Sequence, residues 1–165
     1  MKRVQATLLT AIVFFAVSGG QAYAEEKPFE WPDYYTLEYV QTTADGTSTV
    51  KNYVRGSKVR IETSVDGTPP AVTFLDLDKE PSAKIPRLFD TEGNWKVIEL
   101  EPDLTQYKIT YGGKRKPVRV WLSNDAPMPM KMTSEDGSLK IEVRNYLPSP
   151  PSSSLFETPS ETGGA

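Results

Sequence analysis

Apolar and polar residues alternate along most of the chain between Tyr34 and Leu147, as they do in β-strands with one buried face. In the last such segment, Leu139, Ile141 and Val143 alternate with polar or charged neighbours. Nine segments of this kind are rich in Tyr, Thr, Val and Ile, and we predict a strand in each. They are residues 34–44, 47–55, 58–65, 71–77, 94–101, 105–111, 116–123, 128–134 and 138–147.

Turn signals separate these segments at an even pace. Glycine adopts positive φ without a steric clash, so an acidic residue or a glycine followed by glycine favours a tight hairpin. No stretch of ten or more residues has apolar positions at helical spacing without an intervening proline or glycine. The pattern therefore predicts a mainly β domain built on an antiparallel sheet. The turn pairs are Asp45-Gly46, Asp66-Gly67, Glu92-Gly93, Gly112-Gly113 and Asp136-Gly137.

Two other parts of the chain are not expected to form strands. Pro81 and Pro86 interrupt residues 79–90, which predicts a turn or a lid-like loop there. Residues 148–165 are dominated by Pro, Ser, Thr, Glu and Gly, a composition typical of a disordered tail. Because Leu155 and Phe156 are large apolar residues within that tail, we expect the pair to dock back on the sheet.

The first 24 residues are predicted to be a secretory signal peptide that is cleaved after Ala24. Lys2 and Arg3 precede an apolar run too short to span a bilayer, and small residues precede the cleavage site. Residues 25–33 then form a short lead-in, and residues 34–147 form the β domain. We expect an exported protein that does not span the membrane.

The composition excludes several classes of function. The 165 residues contain no cysteine and no histidine, which excludes disulfides, thiol nucleophiles and Cys/His metal sites. Removing residues 1–24 leaves 17 basic and 22 acidic residues, a net charge of −5 that argues against nucleic-acid binding. The acid pairs Asp76/Asp78 and Asp90/Glu92 would suit calcium or carboxylate chemistry, but surface charge explains them as well. We therefore predict no catalytic residue, no metal site and no cofactor, and hence no enzyme.

Two stretches resemble the LolA/LolB-like superfamily of periplasmic lipoprotein carriers. The first runs through Val118–Leu122, a tryptophan strand, into the proline-containing segment Asn124–Met132, then the Asp136-Gly137 hairpin and Ser154–Glu157. The second is Tyr53–Ile61, which is similar to a strand corner in uncharacterised members. In outline the resemblance spans residues 34–158. It implies an antiparallel sheet curled into an open half-barrel, whose concave face holds lipid beneath short helices or loops. It also implies that the exported protein stays in the periplasm rather than being released into the medium.

The resemblance also implies a role for one arginine. In the carriers, an arginine before a proline at this strand corner holds the lid closed, and Arg55 occupies that position, followed by Gly56. The carriers place an amphipathic helix before their first strand, whereas only Glu25–Asp33 precedes Tyr34 here. The cover of the concave face is therefore expected to be smaller or to come from elsewhere.

Methionine and aromatic residues at strand spacing are the candidates for an apolar ligand groove. Met128, Met130 and Met132 have the spacing of one strand face, and flexible thioethers suit varied acyl chains. An ordinary core would explain the methionines equally well, and a half-exposed sheet would explain the tyrosines. The aromatic and aliphatic candidates are Tyr35, Leu37, Tyr39, Tyr53, Trp95, Tyr107 and Tyr111.

Four cations crowd the hairpin after Gly112-Gly113 in a chain that is otherwise acidic: Lys114, Arg115, Lys116 and Arg119. They could attract an anionic headgroup or an acidic partner. Solvated charge that protects a sheet edge from aggregation is the alternative.

These features together predict an exported binding protein that holds a lipid, or the acyl chains of a lipoprotein, and hands it over without bond-making. The alternative is an envelope protein-interaction or sensor module whose groove is filled by its own loops. The first hypothesis requires a hydrophobic ligand, and the second requires an envelope protein partner. The two hypotheses differ in whether the groove is empty, and this depends on side-chain packing that the sequence alone does not reveal.

Overall fold

A computed structural model of the protein describes residues 27–157. These residues form one antiparallel sheet of nine strands and a single short 3₁₀ helix, η1, at Ser153–Phe156. Within this range no helix is long and apolar enough to cross a membrane. The strands are β1 (Tyr34–Thr43), β2 (Gly46–Arg55), β3 (Lys58–Val65), β4 (Ala71–Asp76), β5 (Asn94–Leu100), β6 (Leu104–Thr110), β7 (Val118–Ser123), β8 (Pro129–Ser134) and β9 (Lys140–Leu147).

The strand prediction is confirmed for all nine segments, with each boundary within two residues of the predicted one. The fold class is also confirmed, since the described chain is mainly β and its sheet is antiparallel and open. The predicted hairpin glycines explain part of this agreement. Gly67, Gly113 and Gly137 have φ values of 79°, 74° and 71°, a region that residues with a Cβ rarely occupy.

The strands lie in the order β4-β3-β2-β1-β9-β8-β7-β6-β5. Every neighbouring pair is consecutive in sequence except the central pair of β1 and β9. Two meanders, β1–β4 and β5–β9, therefore meet along a central seam in which Leu37 pairs with Tyr146 and Tyr39 with Val143. The edges of the sheet are β4 and β5.

One face of the sheet, here called the inner face, carries the core. Tyr35, Leu37 and Tyr39 of β1 alternate onto this face, and each is at most 9% exposed. They pack with buried aliphatic side chains of the other strands. These side chains are Val50, Val54, Val59, Ile109, Val120, Leu122, Met132 and Ile141.

Two segments outside the sheet cover the inner face: the lead-in at residues 27–33 and the loop at residues 77–93, here called the cover loop. Phe29 and Trp31 of the lead-in and Phe89 of the cover loop are all at least 94% buried. The Trp31 ring centroid lies 4.9 Å from that of Phe29, 5.2 Å from Phe89 and 5.3 Å from Tyr35. The cover is therefore an aromatic cluster and contains no helix.

Side chains of the sheet and the lead-in hold the cover loop by donating hydrogen bonds to its backbone carbonyl groups. Satisfying these carbonyls offsets the cost of placing an irregular backbone over an apolar face. The bonds run from Tyr35 Oη and Asn52 Nδ2 to the Pro86 carbonyl, from Trp31 Nε1 to Phe89, from Tyr111 Oη to Asp90, and from Trp95 Nε1 to Thr91, at 3.0–3.4 Å.

The segment after β9 lies against β3. Arg60 of β3 donates to the Leu155 carbonyl at 3.1 Å, and Arg55 of β2 donates to the Pro151 carbonyl at 2.7 Å. Leu155 and Phe156 are both half-buried. The segment from Pro151 to Phe156 thus packs on the sheet.

Ending the chain after Pro151 is expected to lower the free energy of unfolding by about 2 kcal/mol, because two half-buried apolar side chains are lost. A chain that ends at Glu157 retains both contacts and is the control. Thermal unfolding followed by circular dichroism measures both. Equal melting temperatures for the two chains would show that Leu155 and Phe156 add nothing to stability.

Candidate functional site

A cavity of about 860 Å³ lies between the cover loop and the hairpin that joins β6 to β7. We call it the loop cavity. It forms because the cover loop crosses the inner face and leaves the space beside the hairpin unfilled. Its walls are Lys84, Ile85, Arg87, Leu88, Phe89 and Asp90 from the loop, and Tyr111, Arg115, Lys116 and Val118 from the hairpin.

The loop cavity has mixed walls, and its apolar side chains are continuous with the protein core. Ile85, Leu88, Tyr111 and Val118 are half-buried and pack against the core cluster, of which Phe89 is a member. Burial raises the pKa of the Tyr111 hydroxyl, which donates to the Asp90 carbonyl at 3.1 Å. The tyrosine therefore stays neutral at physiological pH and presents its ring to the cavity.

An ion pair joins the two walls. Arg115 Nη1 lies 2.8 Å from Asp90 Oδ2, and the Arg115 guanidinium lies 4.1 Å from the centroid of the Tyr111 ring. The hydrogen bond from the Glu92 amide, followed by that from Arg115, lowers the pKa of Asp90. The carboxylate is thus ionised at neutral pH and fixes the hairpin to the loop.

The remaining charges of the loop cavity are positive. Lys116 Nζ lies 2.7 Å from Asp136 Oδ2 at the exposed outer side of the hairpin. Lys84 and Arg87 are exposed, and neither forms an ion pair within residues 27–157. Four cations therefore line the cavity with one carboxylate among them.

The predicted groove residues on β1 lie beneath the cover. Tyr35, Leu37 and Tyr39 are buried by the lead-in, the cover loop and the neighbouring strands. Trp95 and Tyr107 also lie on the inner face and are half-buried against the core. Of the predicted apolar and aromatic groove residues, Tyr111 lines the loop cavity.

Tyr53 lies on the opposite, outer face of the sheet. Its neighbours Asn52 and Val54 alternate onto the inner face and are fully buried, which turns Tyr53 outward. There its ring lies 5.5 Å from Lys51 Nζ and 5.9 Å from the Arg60 guanidinium. Tyr53 therefore does not contribute to a groove on the inner face.

A β-bulge divides the methionine stripe. Leu122 pairs with Pro129 and Trp121 with Lys131, which leaves Met130 as the extra residue between them. Met132 is 2% exposed and belongs to the core. Met128 and Met130 are half-buried and, among the described side chains, are not part of the packing around the core. The three methionines thus do not form one continuous surface.

The predicted cations have different surroundings. Arg115 and Lys116 line the loop cavity, whereas Lys114 is exposed in the turn. Arg119 is exposed and alternates onto the outer face between Val118 and Val120, which takes it away from the cavity. Arg55, the predicted lid arginine, contacts the carbonyl of Pro151 in the C-terminal segment rather than the cover loop.

Six of the ten cavity residues come from the cover loop, which the strand pattern does not describe. A local signal was nevertheless present, because Lys84 and Arg87 alternate with Ile85 and Leu88 around Pro86. A basic and apolar segment of this kind suits the boundary between water and the apolar side of a cavity. Within the described chain, no group of three or more acidic side chains is arranged to hold a metal ion.

The sequence matches no protein-family model and no curated protein. Among solved structures, a structure of PNGF-II in space group C2 is similar to 74% of this chain, with 10% sequence identity and a TM-score of 0.38. The chain spans 29% of the length of that protein. A likeness this distant gives no information about the loop cavity, and the resemblance to lipoprotein carriers stays a prediction.

Proposed function

We propose that the protein is a non-enzymatic binding protein that shields the apolar part of a lipid in the loop cavity. The observation that supports this proposal is an open cavity of about 860 Å³, five of whose lining side chains are continuous with the core: Ile85, Leu88, Phe89, Tyr111 and Val118. Burial of apolar surface contributes roughly 25 cal/mol per Å² without specific polar contacts. The hydrocarbon part of a lipid could therefore bind there, although the protein sequence contains no ligand-binding motif.

The volume of the cavity limits the size of the proposed ligand. Pockets of 300–1,000 Å³ typically hold one small organic molecule. The centre of the inner face is filled by Phe29, Trp31 and Phe89, so we place the ligand in the loop cavity beside them. We therefore propose one single-chain amphiphile per protein rather than a lipoprotein anchor with several acyl chains.

The proposed place of action is the periplasm, where a lipid cannot cross water without a carrier. This part of the proposal depends on the predicted signal peptide at residues 1–24, which lies outside the described residues. The transfer step would consist of release from the cavity, with no covalent change in the ligand.

A second candidate is the interaction or sensor module whose groove is filled by its own chain. The aromatic cover favours it, because Trp31 occupies space over Tyr35 that a lipid would take in an open half-barrel. Native mass spectrometry of protein purified from its own cell envelope, before and after extraction with organic solvent, separates the two functions. Extra mass matching a lipid supports the binding protein, and its absence favours the module.

A variant with a partly filled cavity tests the site itself. Val118→Trp places a large side chain on the cavity wall and is expected to weaken uptake of a fluorescent fatty acid about tenfold, equivalent to 1.4 kcal/mol. Val72→Trp is the matched control, since Val72 is 42% exposed on edge strand β4. If Val118→Trp takes up as much fatty acid as Val72→Trp, the ligand binds elsewhere. If neither the natural protein nor the variants take it up, there is no lipid site.

A further inference from the structure

We propose that the loop cavity selects single-chain amphiphiles with an anionic headgroup, a carboxylate or a phosphate, and that Lys84 and Arg87 bind this headgroup. The inference rests on the proposed function and adds the class of ligand. It follows from how charge is distributed around the cavity.

The charge of the loop cavity is opposite in sign to that of the whole chain. The chain carries a formal net charge of −3, whereas the cavity walls contribute four cations and one carboxylate. The cations come from two separate elements, the cover loop and the β6–β7 hairpin, which the fold brings together. Such local concentration of one sign raises the local concentration of ligands of the other sign.

The protein neutralises only part of this positive charge. Asp90 is paired with Arg115, and Asp136 lies beside Lys116. Lys84 and Arg87 have no carboxylate at ion-pair distance in the described part of the chain. These two side chains are therefore the cations with the most unused capacity to bind an anion.

Polarity along the cover loop orients the ligand. Lys84 and Arg87 are exposed, whereas Ile85 and Leu88 beside them are half-buried against the core. A ligand would therefore place its charged end near the mouth, in water, and its hydrocarbon end inside. An arginine fork can bind two oxygens of a carboxylate or phosphate at once, and a lysine adds a point charge.

Competition among amphiphiles of equal chain length tests the selection. Full-length mature protein is loaded with a fluorescent fatty acid, which is then displaced by a fatty acid, a single-chain lipid phosphate, a fatty alcohol or an alkylamine. We expect either anion to displace the probe at about one tenth of the concentration that the alcohol or amine requires, and the better of the two identifies the headgroup. Inorganic phosphate should not compete, because it lacks the apolar part.

The double variant Lys84→Gln/Arg87→Gln is expected to lose this tenfold preference, so that the anions and the alcohol displace the probe at similar concentrations. Lys58→Gln/Arg119→Gln is the matched control, because both of its cations are exposed outside the cavity. Retention of the preference by the Lys84/Arg87 variant would overturn the assignment of these residues, and its loss in the control would do the same.

Failure of the inference is distinguishable from failure of the proposed function. Equal competition by alcohol, amine and anions would overturn the anion selectivity and leave a lipid site intact. Competition by inorganic phosphate at similar concentrations would show an anion site without lipid selectivity. If no amphiphile of any charge binds, both proposals are wrong.

Discussion

Replacing Trp31 by alanine is expected to lower the free energy of unfolding by about 3–5 kcal/mol, the usual cost of removing a buried tryptophan. Trp31 is 6% exposed, and its indole nitrogen donates to the Phe89 carbonyl at 3.0 Å. The alanine variant would lose the aromatic contacts and leave that buried carbonyl without its partner. Urea unfolding followed by tryptophan fluorescence and circular dichroism measures the change.

Tyr34→Ala is the control for this experiment. Tyr34 is also aromatic and lies close to Trp31 in sequence, but it is 44% exposed, so its removal should change stability by about 0.5 kcal/mol or less. If Trp31→Ala were no more destabilising than Tyr34→Ala, the lead-in would not be a structural part of the domain. It would then be a detachable segment, and the inner face would be open to larger ligands.

Two arginine substitutions in the same strand are expected to have opposite outcomes. Met132→Arg should unfold the domain, because an unpaired charge at a 2% exposed core position costs several kcal/mol of a total stability of about 5–15 kcal/mol. Met130→Arg should remain folded. Met130 is the extra residue of a bulge and is half-buried, so a guanidinium there can reach water along its flexible stem.

Far-ultraviolet circular dichroism and the melting temperature of each purified variant report on this difference. Unfolding of both variants would mean that Met130 packs in the core despite the bulge. Stable folding of both would mean that the inner face around Met132 tolerates water, which would revive the hypothesis of a broad open groove.

Strands were predictable because their signals are local. Side-chain alternation and glycine at turns such as Gly67 and Gly137 involve only residues that are close in sequence. These two signals suffice to predict the strands of each meander. The methionine stripe shows the limit of that information. The bulge at Met130 depends on how Trp121 and Leu122 pair with the next strand. The presence of a methionine at every second position does not reveal that pairing.

The loop cavity was less predictable because it arises from contacts between distant parts of the chain. Lys84 and Arg115 are 31 positions apart, and only the crossing of the cover loop over the inner face brings them to one cavity. The density of positive charge after Gly112-Gly113 identifies the two cavity cations of the hairpin, Arg115 and Lys116. The two cavity cations of the cover loop, Lys84 and Arg87, are not predictable in this way. Pro81 and Pro86 predict a loop but do not indicate which part of the sheet it packs against.

The central seam has a consequence for the order in which the molecule can assemble. Strands β2–β4 can add to β1 as soon as they are synthesised, but the other side of β1 has no partner until β9 exists. Until then Leu37 and Tyr39 lie at an edge, and only local hairpins hold each half together. Contacts across more than a hundred residues form slowly because a long loop must close first. The native core therefore forms only after residue 147 has been synthesised, and until then β1 lacks one of its two neighbouring strands.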